Sequence, residues 1–465
     1  MHWLAHCHGA LELAKLYKQV HPETKTILGG ISSTYYHQEL IEYEQIDYII
    51  RGYDTLLPFE LLLKSNNDSE NLLQIPNLTW KDKNTIVNEM AHTPNQYSAS
   101  VNWEPIFNGK NNMTPYNIVI PQAGCEYNCR WCGGSKYFFK KYMGINKCSQ
   151  KSSDVLQKEL QSIVDCSQKP HTVTMINYWH NYDELFNAAN HVFYNKNIDC
   201  VHISLNTLPP IKRIKQLASS AKLVIELSPD SHDMEVGKAS GRSKYTMDQM
   251  EKFIDELLEY VYSFEIYFML GLPKQTVENI WQNVDYCEHL LQKYQGKRVI
   301  PFVCPMLPFL DPGSEIYDNP EKWGYTIFFK TLQEHCDALL SMNWKNRLNY
   351  ETKWLTRQQL VNISYESVKA LTRLKNRYGM LPNSVTKKII NLIDETTDLL
   401  KEIDEYEKLS DGKEKDEFFK QLREKILKYN QQQFATVRSQ QRPIDFGFAK
   451  KQWFETVDAF SDIMD

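Results

Sequence analysis

Residues 120–135 read IPQAGCEYNCRWCGGS and place three cysteines, Cys125, Cys129 and Cys132, within eight positions. Thiolates are the ligands of iron–sulfur clusters, and three of them on one loop can hold three irons of a [4Fe–4S] cluster. The loop offers no adjacent fourth cysteine, so one iron would stay open to chelate an amino and a carboxylate group of a ligand. Two alternatives stay open: a zinc site completed by a distant ligand such as Cys148, and three unrelated cysteines. The spacing favours the cluster.

Apolar runs that read as strands lie on both sides of this loop, with helical patterns between most of them. The runs are YNIVI (116–120), TVTMINYW (172–179), CVHISL (200–205), LVIEL (223–227), FEIYFML (264–270) and VIPFVCPML (299–307). Strands that alternate with single helices predict parallel βαβ units. Six strands over about 200 residues suit a partial (β/α) barrel better than an open sheet. We place this α/β barrel at residues 116–325.

The segments around the predicted barrel read differently. Residues 1–64 show two apolar strands, KTILGG (25–30) and IDYIIRG (46–52), between helical patterns, which is a fragment of a doubly wound α/β domain. Residues 65–115 read as a connector that contains a small hairpin, LTWKDKNTIVNE (78–89). Residues 326–465 read as a helical C-terminal region.

The composition gives no sign of a nucleic-acid or membrane partner. The net charge is −5, and the lysines are scattered among acids, which is typical of a solvated surface. No run approaches the roughly 20 apolar residues of a membrane helix, and the first residues lack the layout of a signal peptide. We therefore expect a cytoplasmic protein whose isolated cysteines stay reduced.

The cysteine loop, with Trp131 just before its third cysteine, resembles the cluster loop of the radical S-adenosylmethionine (SAM) superfamily. The resemblance extends over about residues 116–320. It implies a partial (β/α)6 barrel, a [4Fe–4S] cluster on Cys125, Cys129 and Cys132, and SAM as the second cofactor. It also implies cleavage of SAM to a 5′-deoxyadenosyl radical or related chemistry, with an external electron donor such as a flavodoxin or ferredoxin.

The resemblance also suggests residues that contact SAM. Glu226 and Ser228 correspond to polar residues at the end of the fourth barrel strand that contact the ribose. Arg242 lies where related enzymes often place a basic group near the SAM carboxylate, and Gly271 and Pro273 resemble a turn that passes close to the adenine. A polar strand end, a surface charge and an ordinary turn are the alternatives. The second strand departs from the usual Gly-Gly-Glu-like run, and Asn177 or Asp183 could replace its amine contact.

The N-terminal segment is similar to the second half of the cobalamin-binding domain that precedes the barrel in one branch of this superfamily. Glycines at strand ends permit close approach of a ligand tail. The implied contacts with the cobalamin nucleotide tail are Gly29, Gly30, Ser32, Ser33 and Gly52. Ordinary βα turns are the alternative. Only two of about five strands are present, so the chain starts at an internal methionine or carries a reduced domain. We expect the two strands to pair with each other and collapse onto the barrel or connector, and cobalamin to bind weakly or not at all.

Three functions follow as hypotheses. The first is a radical SAM enzyme that uses SAM and the cluster, with methylcobalamin as methyl carrier, to methylate or rearrange an unactivated carbon of a small-molecule or peptide substrate of unknown identity. The second is a radical SAM enzyme that has lost cobalamin and performs hydrogen abstraction alone. The third is a non-catalytic scaffold that binds an iron–sulfur cluster or zinc. Fold alone does not decide among them.

Overall fold

The computed structural model describes residues 4–94, 100–103, 117–165, 171–176, 183–194, 198–242, 244–305 and 310–438. Asn177 and residues 439–465 of the predicted helical region lie outside these ranges. Of the helices that the structure describes, none is long and apolar enough to cross a membrane.

The N-terminal unit contains a four-stranded sheet. Its strands, in spatial order, are β1 (Ile27–Gly29), β2 (Tyr48–Ile50), β3 (Leu78–Asp82) and β4 (Asn84–Val87). As predicted, β1 and β2 pair in parallel, with Ile27 opposite Tyr48. Strand β3 then pairs antiparallel with β2, with Leu78 opposite Ile50. The segment predicted as a connector therefore supplies two of the four strands, which gives the sheet more apolar area to bury than β1 and β2 alone could.

A second sheet of six parallel strands holds the core of the molecule. The strands of residues 117–305 are β5 (Asn117–Val119), β6 (Gln122–Ala123), β7 (Ser149–Gln150), β8 (His171–Ile176), β9 (Ile198–Leu205), β10 (Leu223–Asp230), β11 (Ser263–Leu270) and β12 (Val299–Pro305). Strands β5, β8, β9, β10, β11 and β12 neighbour one another in that order, and every pair is parallel. The sequence prediction of a parallel six-stranded α/β sheet is confirmed.

Helices follow most of the strands, and several begin at side-chain caps visible in the sequence. They are α1 (Cys7–Val20), α2 (Ile31–Tyr35), α3 (His37–Leu40), α4 (Leu56–Lys64), α5 (Ser69–Leu73), α6 (Lys136–Met143), α7 (Ser153–Asp165), α8 (Asp183–Phe193), α9 (Ile211–Ala218), α10 (Met234–Ser240), α11 (Met247–Leu257) and α12 (Val277–Lys293). The hydroxyl of Thr246 accepts a hydrogen bond from the backbone N–H of Gln249, and the Gln249 side chain accepts one from the backbone N–H of Thr246. This reciprocal pair is a capping box at the start of α11.

The C-terminal region is mostly helical but includes a small antiparallel sheet that the sequence did not suggest. Its elements are α13 (Glu315–Asp318), α14 (Pro320–Trp323), β13 (Tyr325–Ile327), α15 (Leu332–Leu339), α16 (Trp344–Arg347), β14 (Tyr350–Thr352), α17 (Arg357–Arg377), α18 (Asn383–Lys408) and α19 (Lys413–Arg438). Strands β13 and β14 are only three residues each, too short for an alternating pattern to be recognised.

The two faces of the parallel sheet differ in chemistry because side chains alternate along each strand. Ile225 and Leu227 of β10 point to the outer face, where they are fully buried in the main hydrophobic core. Glu226 and Ser228 point to the opposite, inner face. The sheet therefore has an apolar side covered by helices and a polar side that faces the lumen of the partial barrel.

The N-terminal unit packs against residues 315–340. Leu332 and Cys336 of the C-terminal region are buried in one hydrophobic cluster with Leu40. The backbone N–H of Leu332 donates to Glu39 Oε2 at 2.7 Å, and the hydroxyls of Tyr36 and Tyr317 are 3.3 Å apart. The unit thus docks on a segment that follows the barrel strands.

Candidate functional site: the cysteine loop and the inner face of the sheet

The cysteine loop leaves the carboxyl end of β5, the first strand of the parallel sheet. It is closed at its base by the antiparallel pairing of Ala123 with Ser149. It ends at Ser135, whose hydroxyl caps α6 by accepting from the backbone N–H of Phe138 at 3.5 Å. Carboxyl ends of parallel strands are where ligands bind in α/β folds, because the loops there vary while the sheet stays fixed.

The three thiols lie on one short loop and are at least partly shielded from solvent. Cys129 is buried, and Cys125 and Cys132 are half-buried. Burial raises the pKa of Cys129 to about 12, and the neighbouring Cys125 contributes to the increase. Burial also raises the pKa of Cys132 well above its usual value, and Asp311 and Cys129 add to it. Protonated thiols are poor ligands, so an iron-bearing group would supply the positive charge that ionises them.

Backbone N–H groups point at two of the sulfurs. Tyr127 N–H donates to Cys125 Sγ at 3.4 Å, and Gly134 N–H donates to Cys132 Sγ at 3.3 Å. Hydrogen bonds to sulfur are one of the means by which proteins tune iron–sulfur clusters. Three soft sulfurs, two of which accept hydrogen bonds from backbone N–H groups, fit a cluster.

The described residues do not present a site for a single metal ion. Within those ranges, no group of three or more His, Cys, Asp or Glu side chains converges closely enough to hold one. A zinc ion needs its sulfurs about 2.3 Å from one centre, whereas a cluster binds each thiolate to a separate iron. Cys148, the distant ligand considered for zinc, does lie beside the loop, since a Cβ atom on Gly124 would be 3.6 Å from its Sγ.

Two residues that the sequence analysis did not single out hold the loop in place. The Asp311 carboxylate accepts from Gly133 N–H at 2.8 Å, and burial raises its pKa to about 6. Gly241, with φ of +81°, lets the end of α10 meet the loop, because a Cβ there would lie 2.4 Å from the Asn128 carbonyl oxygen. A glycine after a helix is a recognisable C-cap signal, whereas nothing in the sequence around Asp311 pointed to the loop.

Replacing Gly241 with alanine should loosen the loop. An alanine at position 241 is destabilised both by the positive φ and by the clash of its Cβ with Asn128. An alanine at Gly296 is destabilised by the positive φ of +76° alone, because its Cβ would meet nothing within 4 Å. We expect Gly241→Ala to lower the free energy of unfolding by about 1–3 kcal/mol more than Gly296→Ala, and to lower iron retention. Urea unfolding and iron content after anaerobic reconstitution measure both. Equal losses in the two variants would contradict the contact.

Two of the predicted SAM contacts, Glu226 and Ser228, lie together on the inner face. The strand continues to Asp230, so Glu226 stands half-way along β10 and not at its end. Its Oε1 atom accepts from the hydroxyls of Ser204 at 2.9 Å and Ser228 at 3.5 Å. The cross-strand neighbour of Glu226 on β11 is a second carboxylate, Glu265.

His202 and Tyr267 complete this inner-face cluster. His202 Nε2 is 3.8 Å from Glu226 Oε2 and 3.5 Å from Glu265 Oε2. The Tyr267 hydroxyl donates to Glu265 Oε2 at 2.9 Å. Neither His202 nor Glu265 was singled out in the sequence, although both follow from the alternation of the strands that carry them. This group of inner-face side chains can form hydrogen bonds with polar groups of a ligand.

Arg242, predicted near the SAM carboxylate, is paired within the protein. Its Nη1 atom lies 3.2 Å from Asp230 Oδ1, and its Nη2 atom donates to Asn206 Oδ1. Asp230 is fully buried; burial raises its pKa, and Arg242 opposes that increase. Arg242 therefore neutralises a buried carboxylate beside Cys129.

The remaining residues predicted to contact SAM are close to other parts of the protein. Gly271 has φ of +91°, and a Cβ there would lie 2.5 Å from the Tyr350 hydroxyl. Its close neighbour is thus a side chain of the C-terminal region, and Pro273 is buried in the same turn. Asp183 begins α8 and pairs with Arg213, and Asn177 lies outside the described residues.

The residues predicted to contact a cobalamin tail lie at the end of β1, in the first turns of α2 and just after β2. They are Gly29, Gly30, Ser32, Ser33 and Gly52. Gly30 and Gly52 both have φ of +98°, and Gly52 N–H donates to the hydroxyl of Thr34 at 3.0 Å. A cavity of about 410 Å³ adjoins these turns, but Thr34 and Arg51 line it and none of the five does. This volume is at the low end for drug-sized ligands, and a corrinoid is larger than those.

Comparison with known proteins identifies the domain that these elements form. Residues 119–287 match the Radical SAM superfamily. A curated relative, named an uncharacterized methyltransferase from Pyrococcus horikoshii, is 24% identical over 143 residues, which cover 30% of this chain and 31% of that protein. The chain therefore contains a radical SAM domain, and the family implies a [4Fe–4S] cluster and SAM.

Solved structures share the fold. The radical SAM methyltransferase TsrM from Kitasatospora setae, solved with tryptophan and a SAM analogue, superposes with a TM-score of 0.53 at 14% identity, over 70% of this chain and 64% of that one. A second TsrM structure contains cobalamin and a [4Fe–4S] cluster, with a TM-score of 0.51 at 14% identity, over 69% of this chain and 65% of that one. The chain thus spans less than a third of the curated relative's length and just under two thirds of TsrM. At this identity the likeness shows the fold alone.

Proposed function

We propose that this chain is a radical SAM enzyme in which Cys125, Cys129 and Cys132 hold a [4Fe–4S] cluster. The observation that carries the proposal is the position of three cysteines within eight residues, on the loop after the first strand of a six-stranded parallel sheet. The cluster, when bound and reduced, supplies the electron that cleaves SAM. The family match over residues 119–287 supports this chemistry.

The chain's own residues position the reactants. Asp311 and Gly241 fix the loop, and the backbone N–H groups of Tyr127 and Gly134 stabilise thiolate charge on two sulfurs. Glu226 and Ser228 offer a carboxylate and a hydroxyl on the inner face that suit the SAM ribose. As with other cofactor enzymes, the protein orients the reacting groups and excludes side reactions.

We assign methyl transfer as the leading reaction, on a small-molecule or peptide substrate. The curated relative is named a methyltransferase, and TsrM is a radical SAM methyltransferase whose structure includes cobalamin. The electron donor is an external flavodoxin or ferredoxin, and an oxygen-sensitive cluster with free cysteines suits the reducing cytoplasm. A radical SAM reaction without cobalamin is the second candidate, which the small volume of the cavity beside Thr34 and Arg51 favours.

The products of SAM separate these reactions. The chain is reconstituted anaerobically, reduced with flavodoxin or dithionite, and given SAM with and without hydroxocobalamin. Formation of 5′-deoxyadenosine supports radical cleavage, and formation of S-adenosylhomocysteine that depends on the corrinoid supports methyl transfer through cobalamin. A chain that binds a cluster but neither binds nor consumes SAM would contradict the proposal and leave the scaffold function.

A further inference from the structure

The strongest feature outside the cysteine loop is an isolated buried cation at the cavity of about 410 Å³. Arg51 follows β2 and is 7% exposed. Its Nη2 atom donates only to backbone carbonyls, those of Leu78 at 3.5 Å and of Asn88. Its Nε atom has no hydrogen-bond partner in the part of the chain that the structure describes. A buried guanidinium with an unused donor is costly to a folded protein.

No acid in the described residues compensates Arg51. Burial lowers its pKa to about 10, and no neighbouring carboxylate opposes that decrease. The other basic side chains of the cavity do not need an anion. Lys141 is paired with Asp318 at 2.7 Å, and burial, followed by the charge of Arg51, lowers the pKa of His37 to about 4 and so keeps it neutral.

The cavity provides further polar groups at the right place. Thr34, Tyr35 and Tyr142 line it together with Arg51. It lies between the turn that follows β1 and helix α6, which begins where the cysteine loop ends. We propose that this cavity binds a phosphate-class anion through the guanidinium of Arg51. A planar fork of N–H donors matches phosphate oxygens. The site does not depend on the proposed function.

Two kinds of ligand could present a phosphate group to this cavity. The phosphate can belong to the phosphodiester of a cobalamin nucleotide tail or to a separate phosphorylated small molecule. Cobinamide, the corrinoid without its nucleotide tail, distinguishes them. If hydroxocobalamin displaces inorganic phosphate and cobinamide does not, the anion is the corrinoid phosphodiester. If neither displaces it, the ligand is a separate phosphorylated molecule, and the anion site stands in both cases.

The test uses the full chain, reconstituted anaerobically, with inorganic phosphate as the probe. Phosphate binding is measured by calorimetry and by the shift in Tm, because a ligand that binds the native state raises Tm. Sodium chloride of equal ionic strength is the control for a general salt effect. Arg51→Gln should raise the phosphate Kd about tenfold or more. Arg347→Gln is the matched control. Arg347 is 5% exposed, burial lowers its pKa to about 10, and its Nε donates to the Ser341 carbonyl at 2.8 Å, but it does not line this cavity.

A second pair of variants keeps the test decisive if Arg51→Gln does not fold. Gln38 lines the cavity and is exposed, so its replacement leaves the core intact. Gln38→Glu should weaken phosphate binding and Gln38→Lys should strengthen it, both with unchanged unfolding by urea. The proposal is overturned if the wild-type chain binds no phosphate, or if Arg51→Gln, Arg347→Gln and both Gln38 variants bind it as the wild type does.

Discussion

Replacing Cys125, Cys129 and Cys132 together with alanine should reduce the iron content after anaerobic reconstitution from about four per chain to nearly none. The loop offers no other cysteine, and the raised pKa values of Cys129 and Cys132 leave these two thiols to be ionised by the metal itself. The broad visible absorption of the cluster should disappear with the iron, and SAM cleavage should fall below detection. Iron analysis, the ultraviolet–visible spectrum and product chromatography measure the three effects.

Cys148→Ala is the matched control for this variant. Cys148 lies beside the loop and is the ligand that a four-coordinate zinc site would require. With a cluster on three cysteines, Cys148→Ala keeps its iron and its spectrum. Stoichiometric zinc in the wild-type chain that Cys148→Ala loses would instead establish the zinc site, and unchanged iron in the triple variant would disprove the cysteine assignment.

Replacing Arg242 with methionine should destabilise the protein by about 3–5 kcal/mol, because it leaves a buried charge without its partner. Asp230 is fully buried, and Arg242 Nη1 lies 3.2 Å from it. Without Arg242, the main group that opposes the effect of burial on the Asp230 pKa is lost, although the Ser240 hydroxyl still donates to that carboxylate. The Asp230 pKa therefore rises further, and the folded state binds the proton more tightly than the unfolded chain does. Stability then falls as pH rises, and the loss should be smaller at pH 5 than at pH 8. Urea unfolding at both pH values measures it.

Two comparisons define this effect. Lys293→Met removes a pair with Glu251 at 2.9 Å whose lysine is 34% exposed, and a pair of that kind contributes only about 0–1 kcal/mol. Adding Asp230→Asn to Arg242→Met removes the unpaired charge and should recover much of the loss. If Arg242→Met costs no more than Lys293→Met, Arg242 is not needed to neutralise Asp230, and a role in binding SAM becomes the better explanation for it.

The parallel sheet and the cysteine loop could be predicted because both follow from patterns of neighbouring residues in the sequence. Alternating apolar runs and helical segments predicted the six strands, which are confirmed, and the spacing of Cys125, Cys129 and Cys132 predicted the cluster site, which stays a prediction. The capping boxes at Thr246 and Thr356 depend on equally local signals, since each threonine is followed three positions later by a glutamine. The placement of the β3–β4 hairpin could not be predicted from local patterns. The pairing of Leu78 with Ile50 is a contact between distant segments, which the sequence of the hairpin does not encode.

The parts of the site that escaped prediction depend on distant contacts. Asp311 meets Gly133 across 178 positions of sequence, and nothing local marks it. The pairing of Arg242 with Asp230 was not predicted, because the strand was taken to end earlier. The contact of Gly271 with Tyr350 was not predicted either, because the strand that carries Tyr350 is too short to recognise. The SAM contacts of Arg242 and Gly271 stay predictions.

The docking of the N-terminal unit has a consequence for synthesis of the chain. Glu39 and Leu332, which join the unit to the C-terminal region, are 293 positions apart. At the usual rate of translation, about 5–20 residues per second, the second partner emerges about 15–60 s after the first. During that interval the apolar side of α3, including Leu40, has no partner from residues 332–336. The segment around Glu39 and Leu40 therefore reaches its final place only after residues 332–336 have been made.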